Sequence, residues 1–221
     1  MSRLDGVVAP DVNLVVPLKR MAHAKTRLAG ALDPRSTVSH GDLVRALAYD
    51  TVAAALATPG VRRVLIVAAE PDEVSELADL GAEVVGESGF TGLNSALRHG
   101  DSLLRSADPG CVVGALHADL PALSPAELAG AVREAAGSRA FCADRHGTGT
   151  TLLLSAAGAA LDPRFGPGSA AAHASSGARP LQLAAPSLRA DVDTAADLAH
   201  ACGLGLGPRT RAVLCELRRA S

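Results

Sequence analysis

Two short acidic stretches are the first places where this chain could do chemistry. In "LHADLPAL", Asp119 follows an apolar run and shortly precedes a proline, so it stands where a strand ends. A carboxylate there faces the crevice beyond a sheet and can bind Mg²⁺, which takes carboxylate and phosphate oxygens. Taken alone, the motif is better read as a turn Asp ahead of a proline. In "RADVDTAADL", Asp191 and Asp193 flank Val192. Read as facing opposite sides of an extended segment, they leave room for only one of them beside Asp119. Thr194 and Asp197 have capping-box spacing, which explains them but not the two acids before them.

Two further stretches complement the acids. "VVPLKRMAHAKTRLAG" carries Lys19, Arg20, Lys25 and Arg27, with His23 among them and no acid from Val15 to Gly30. It follows an apolar run, at a strand's carboxyl end. The chain has no G-x-x-x-x-G-K-[ST] and no G-x-G-x-x-G, so neither backbone phosphate cradle is present. Side chains would have to neutralise a triphosphate instead; the plain alternative is a solvated basic loop. "DRHGTGT" and "RFGPGS" offer Thr148, Thr150 and Ser169 hydroxyls, with Gly147 and Gly149 allowing close backbone approach. Ser169 precedes an Ala-rich helical stretch whose first N–H groups would suit a phosphate or carboxylate. A hairpin turn and an ordinary N-cap account for the same residues.

Strands and helices must bring these pieces to one edge. "NLVVPL", "RRVLIVAA", "AEVVGE", "CVVGALHAD", "RAFCAD" and "TTLLLS" read as strands. Helices alternate with them: "HGDLVRALAYDTVAAALAT" with Leu43, Leu47 and Val52 near one face, "DEVSELADLG" closed by Gly81, "GLNSALRHGDSLLRSA" despite Gly100, and "PAELAGAVREAAG". Ser124 is expected to cap the last of these, with Pro125 at its first position and Glu127 completing a capping box. "AADLAHACGLG" is the final clear helix. This alternation predicts an α/β fold with a mostly parallel central sheet and helices on both faces, whose ligands sit beyond the strands' carboxyl ends. Nothing marks a boundary, so residues 1–221 are read as a single domain.

Composition limits the partners. Net charge is −2, which leaves no basic field for nucleic acid. Aromatics are 2% of the chain, so base stacking along a sheet is nearly excluded and the core must be Ala, Val and Leu. Local positive charge in such a chain suits a small anion. Cys111, Cys142, Cys202 and Cys215 form no C-x-x-C pair and are read as reduced core thiols. The first residues lack a signal-peptide core and no run suits a membrane span, so the expected location is cytoplasmic. A basic loop, distant carboxylates and a hydroxyl-rich loop at strand ends are together what nucleotidyl transfer requires.

The motifs "PLKRMAHAKTRLA", "GLNSAL", "ADLPAL", "DRHGTGT", "RFGPGSAAAH" and "DVDTAADL" resemble, in order and spacing, those of the 2-phospho-L-lactate and phosphoenolpyruvate guanylyltransferases of coenzyme F(420) biosynthesis. The resemblance runs from about Leu14 to Leu198. It implies a Rossmann-like nucleotidyltransferase fold, GTP as co-substrate and Mg²⁺ as cofactor. It implies that Thr150, Gly166 and Ser169 bind the phosphorylated three-carbon acid, and that Asp119 and Asp193, with Asp191 as rival for the second place, hold the metal. Lys19, Arg20, Lys25 and Arg27 would hold the triphosphate, Lys25 with Asp119 and Asp193 forming the catalytic set. The loop at Asn94 would read guanine, or Asn94 would simply start a helix. Where relatives usually have Gly, Asp and a D-T-P sequence, this chain has Ala118, Gly168 and Asp193-Thr194-Ala195. Ala118 is expected to crowd the metal slightly, and Gly168 to remove a charge from the acceptor pocket. The expected partners are GTP and a small phosphorylated acid, with hand-over of a labile product to the next pathway enzyme, and neither nucleic acid nor membrane. Two alternatives stand beside this reading. One is another Mg-dependent nucleotidyltransferase of molybdopterin or sugar-phosphate type, which usually carries a G-x-G-x-R loop missing here. The other is a non-catalytic nucleotide-binding module, which has no need of metal acids beside an acceptor pocket.

Overall fold

The computed structural model describes residues 11–18, 28, 39–87, 89 and 92–220. The apolar runs predicted as strands form one seven-stranded sheet. These are β1 (Val12–Leu18), β2 (Val61–Ala68), β3 (Glu83–Gly86), β4 (Val112–Leu116), β5 (Ala140–Ala143), β6 (Thr150–Leu154) and the short β7 (Arg179–Pro180). Their order is β3-β2-β1-β4-β6-β5-β7. All are parallel except β6, which runs antiparallel to β4 and β5.

Helices cover both faces, which is why β1 reads as apolar without a break from Leu14 to Leu18. On one face Val12, Leu14 and Val16 pack against Val44, Ala48 and Val52 of α1 (His40–Leu56) and Leu128 and Val132 of α4 (Pro125–Ala135). Two short pieces, a 3₁₀ turn (Pro71–Val74) and α2 (Glu76–Asp79), join β2 to β3. On the opposite face Val15 meets Ala96, Leu97 and Leu104 of α3 (Leu93–Ala107). Gly100, which weakens a helix by propensity, is there for packing: a Cβ would stand 2.5 Å from a Val15 methyl and 3.1 Å from one of Val67. That close approach seats α3 on β1 and β2.

Three expectations change. Leu43 and Leu47 do not share the sheet-facing side of α1 with Val52; they pack with Leu28, Val192 and Leu198 in a separate cluster. α1 is thus buried on two sides. Ser124 starts α4 but its side chain makes no cap, and Glu127 accepts instead from Ser187 N–H (2.8 Å), Ser187 O–H (2.7 Å) and Leu188 N–H (3.2 Å). The box is replaced by a tie to the 3₁₀ turn Ser187–Arg189. Of the cysteines, Cys111 and Cys142 are buried thiols, whereas Cys202 and Cys215 are exposed.

The last helices are α5 (Ser169–Ser175), α6 (Ala195–Leu204) and α7 (Pro208–Ala220). α7 was not anticipated. Its first N–H groups are capped from far away: Asp50 of α1, 4% exposed, accepts from Arg209 N–H at 3.1 Å and Thr210 N–H at 2.7 Å. Among the described residues no helix is long and apolar enough to cross a membrane.

The sheet opens at one place. β1 pairs with β4 only through Val15 and Ala115, but with β2 as far as Leu18 and Ala68. Pro17, which has no N–H to give, falls after the β4 pairing has ended. The strand order also reverses direction between β1 and β4, the place where doubly wound sheets make their crevice.

Candidate functional site

At that opening the chain leaves β4 through His117, Ala118 and Asp119. Three hydrogen bonds from backbone N–H groups fix the exit. His117 N–H donates to Thr151 C=O (3.0 Å), Leu120 N–H to the Thr51 hydroxyl (2.9 Å), and Val192 N–H to Asp119 C=O (3.0 Å). The last brings the second acidic stretch alongside the first. One ligand atom each from His117, Asp119 and Asp191 then lies within 4.8 Å of the others. Asp119 is 7% exposed, and its Oδ1 is 3.6 Å from His117 Nδ1. Two carboxylates at this spacing fit a Mg²⁺ ion, which binds through one or two carboxylates and completes its shell with water and phosphate oxygens. His117 was missed in the sequence. Its position two residues before Asp119 was the available clue, because residues two apart in an extended chain share a face. Ala118, between them, packs against the core rather than toward the ligand atoms.

The same rule corrects the reading of Asp191 and Asp193, since residues two apart do not face opposite sides of a strand. What separates them is a turn. Val192 is fully buried, and the chain then enters α6 through Thr194, which has the expected capping box with Asp197. Asp193 is exposed and turns its N–H toward Asp197 (3.3 Å), so it stands outside the group formed by Asp119 and Asp191. Asp197 is saturated: Oδ2 accepts from Thr194 N–H (2.9 Å) and O–H (2.8 Å), and Oδ1 pairs with Arg145. Burial pushes the Asp197 carboxyl up, but the Arg145 and Thr194 bonds hold it below the ordinary range. Arg145 also donates its N–H to Arg189 C=O (2.8 Å), tying "DRHGTGT" to the acidic segment.

"DRHGTGT" is the β5–β6 hairpin. Asp144 accepts from Thr148 and Gly149 N–H, both at 2.9 Å, and folds the turn back on itself. Because β6 runs backwards, its first residue, Thr150, lies at the carboxyl edge of the parallel strands. Thr150 is 2% exposed and hydrogen-bonded to His173 Nδ1 at 2.9 Å. Gly166 lies on the loop before α5 and Ser169 begins that helix, which Ala170 N–H ties to Thr148 C=O at 3.1 Å. Arg164 N–H of that loop donates to His173 Nε2 (3.0 Å). Asn94 grips the next residue with both ends of its amide, Nδ2 donating to Phe165 C=O (2.9 Å) and Oδ1 accepting from Phe165 N–H (2.8 Å). Gly92, not Asn94, is the N-cap of α3, and no side chain caps that end, so Asn94 serves the loop rather than the helix end.

The Ala-rich helix α5 does not offer its first N–H groups. Ser169 N–H donates to Gly166 C=O and Ala170 N–H to Thr148 C=O, both at 3.1 Å. Ser169 itself is buried, and its hydroxyl is what the pocket would use. Gly168 has φ 72°, the left-handed region, where Gly is free of strain and Asp or Asn is tolerated. Gly168, a departure from the resembled motif, is therefore accommodated without strain.

Phe165 lies against both His117 of the acidic group and His173, the partner of Thr150. Its ring centroid is 5.3 Å from that of His117 and 5.0 Å from that of His173, the latter edge-on. Burial, then the charges of Arg139 and Arg164, push the His173 imidazole from its ordinary 6.5 down to about 4, so it is neutral. Lys19, Arg20, Lys25 and Arg27 lie outside the described residues. Leu28, next in sequence, is fully buried in the cluster that holds Val192.

The chain is similar to known proteins over nearly its whole length. The model of the family described as "Guanylyl transferase CofC like" matches residues 12–219. A phosphoenolpyruvate guanylyltransferase of Salinispora arenicola is 52% identical over 205 residues, covering 91% of this chain and 92% of the relative. Among solved structures, a nucleotidyl transferase from Methanothermobacter thermautotroptrophicus aligns with TM-score 0.58 at 18% identity, covering 88% of this chain and 97% of that one. A 4-diphosphocytidyl-2C-methyl-D-erythritol synthase aligns with TM-score 0.57 at 15% identity, covering 89% and 99%. At such identities the structures establish the Rossmann-like nucleotidyltransferase fold, and the extent of the sequence match establishes the rest: this chain belongs to the CofC-like guanylyl transferase family.

Proposed function

We propose that this chain, as a single nucleotidyltransferase domain, transfers GMP from GTP to phosphoenolpyruvate and releases pyrophosphate, as a step of coenzyme F(420) biosynthesis. The observation that carries the reading is the adjacency of two sites across Phe165. On one side stand His117, Asp119 and Asp191; on the other stand Thr150, Gly166 and Ser169.

A phosphate oxygen of the acceptor attacks the α-phosphorus of GTP as the bond to the β-phosphate oxygen breaks. No general base is required, because a phosphate monoester is already ionised near neutral pH. The obstacle is repulsion between two anions, so charge neutralisation carries the catalysis. Bound at Asp119 and Asp191, Mg²⁺ would supply Lewis-acid stabilisation of the charge developing on the phosphoryl oxygens. Asp191 takes the second metal position in preference to Asp193, because it is the acid that reaches Asp119. Thr150 and Ser169 donate hydroxyl hydrogen bonds to the acceptor, and Gly166 keeps the loop close to it. Lys19, Arg20, Lys25 and Arg27 are assigned to the triphosphate and the departing pyrophosphate, Lys25 foremost. Asn94, whose amide holds Phe165, contributes to the acceptor loop more directly than to guanine. GTP as co-substrate and four free thiols accord with a cytoplasmic setting, and a labile product accords with hand-over to the next enzyme.

The test is pyrophosphate release by purified protein with Mg²⁺ and GTP, given phosphoenolpyruvate, 2-phospho-L-lactate or 3-phosphoglycerate in separate reactions. ATP and CTP are controls. Release is expected with GTP and phosphoenolpyruvate. Release with another acceptor only would reassign the substrate, and silence with all three would sink the proposal.

A further inference from the structure

His173 belongs to none of the roles above, yet it is fully buried and touches two parts of the acceptor pocket. It lies four residues after Ser169 on α5, so the two share a helix face. Its ring nitrogens have different partners. Nε2 is 3.0 Å from the Arg164 backbone N–H, and Nδ1 is 2.9 Å from Thr150 Oγ1.

These contacts determine where the protons are. A backbone N–H can only donate, so Nε2 must accept and carries no hydrogen. An imidazolium is therefore excluded, and the neutral ring must hold its proton on Nδ1. Nδ1–H then donates to Thr150 Oγ1. The hydroxyl has two lone pairs and one hydrogen. One lone pair is taken by the imidazole, and among the described residues no acceptor meets the hydrogen. The charged groups around the ring favour the same state. Burial, Arg139, Arg164 and His117 disfavour a proton on it, and Asp162 alone opposes them.

We infer that His173 is a positioning residue that fixes Thr150 as a hydrogen-bond donor toward the pocket, so that the pocket selects an anionic oxygen of a phosphorylated carboxylic acid. This rests on the reading of Thr150 as an acceptor-binding residue. The same ring ties Thr150 to the loop bearing Gly166, because the Arg164 N–H it accepts comes from that loop. The loop's other hold is Asn94 on Phe165. Two side chains from different helices therefore set the pocket's shape, and one of them also sets its polarity.

Two measurements test this. The first is the ¹⁵N spectrum of histidine-labelled intact protein near neutral pH. The His173 ring is expected with hydrogen on Nδ1 and none on Nε2. A ring protonated on Nε2, or on both nitrogens, overturns the inference. This readout does not depend on any variant folding.

The second is a double-mutant cycle of His173→Phe and Thr150→Val, read as KM for phosphoenolpyruvate and for GTP. Phe keeps a ring beside Phe141 and Phe165 but has no nitrogen. Each single change should raise the acceptor KM about tenfold or more, as loss of a hydrogen bond to an anion does, and leave the GTP KM in place. The double variant should be no worse than Thr150→Val alone. Losses that multiply, or a GTP KM that rises equally, would mean that His173 does not act through Thr150. If Thr150→Val leaves the acceptor KM unchanged, the acceptor reading of the pocket fails as well. If Thr150→Val has its full effect and His173→Phe has none, only the present inference fails.

Discussion

His117 and His173 lie on two sides of one phenylalanine, and they are built for different work. His117 stands beside carboxylates, with Nδ1 3.6 Å from Asp119 Oδ1 and Asp191 in the same group. His173 stands among a backbone donor, a hydroxyl and two arginines, with one carboxylate among its charged neighbours. The first environment, an imidazole beside two carboxylates, suits a metal cation. The second expels the proton and makes the ring a fixed dipole. An imidazole's role is thus written in its partners, not in the residue. On the proposed reading, the difference divides the crevice into a cation-holding side and an anion-recognising side, with the Phe165 ring in contact with a histidine of each.

The comparison can be broken at its acidic side first. Asp119→Asn should lower kcat by about 10²–10³-fold, the scale of a lost electrostatic contact to the reacting phosphate. Asp191→Asn should do the same, and Asp193→Asn should cost far less. Equal losses at all three positions, measured by pyrophosphate release, would return Asp193 to the metal site.

The other side is tested by pH and stability. His173 takes a proton at about 4 in the folded chain and at its ordinary 6.5 when unfolded. Between these values the unfolded state binds more protons, so its stabilising contribution is complete above 6.5 and is lost as pH falls. The loss should approach about 3 kcal/mol, at 1.36 kcal/mol per unit. Asp42, Glu83, Glu134 and Asp197 are all held below their ordinary values and weaken the fold only at lower pH, within and below the carboxylate range. Denaturant titrations should therefore show decline starting near 6.5, retained in His117→Ala and absent in His173→Phe. No decline in the parent protein between 6.5 and 5 would contradict a neutral buried ring.

The smallest effect sharpens the contrast. His117→Ala should raise the Mg²⁺ concentration for half-maximal rate about tenfold, the scale of losing a ligand or its supporting neighbour. His173→Phe should leave that concentration unchanged. A shift of equal size in both would mean that the two sides are not separate.

Much of this was legible in the residues. The strands announced themselves because a parallel sheet covered on both faces needs unbroken apolar runs, as in β1 and β4. Asp119 was legible from its place at a strand end, and Thr194 with Asp197 from their spacing. Other features depend on distant neighbours and left no local mark. Glu127 has perfect capping-box spacing but is drawn to Ser187, sixty positions on. Asn94 looks like a helix-start residue, and its partner Phe165 is seventy-one positions away. His117 and His173 stood in quoted motifs without drawing notice, because a lone histidine carries no periodicity. Thr150 was named from its motif, but the reason a strand's beginning stands at the carboxyl edge, the reversal of β6, was not legible.

The long-range cap on α7 bears on how the chain is made. Asp50 receives its two N–H partners from residues 209 and 210, with 160 positions between Asp50 and Thr210. During synthesis α1 is complete long before those partners leave the ribosome. Until then its carboxylate must stay in water, since a charge buried without partners is costly. The side of α1 that meets α7 therefore cannot close early, and the loop to be closed is among the longest the chain offers. Folding of this face is timed by translation, and its completion reports that the last helix has arrived.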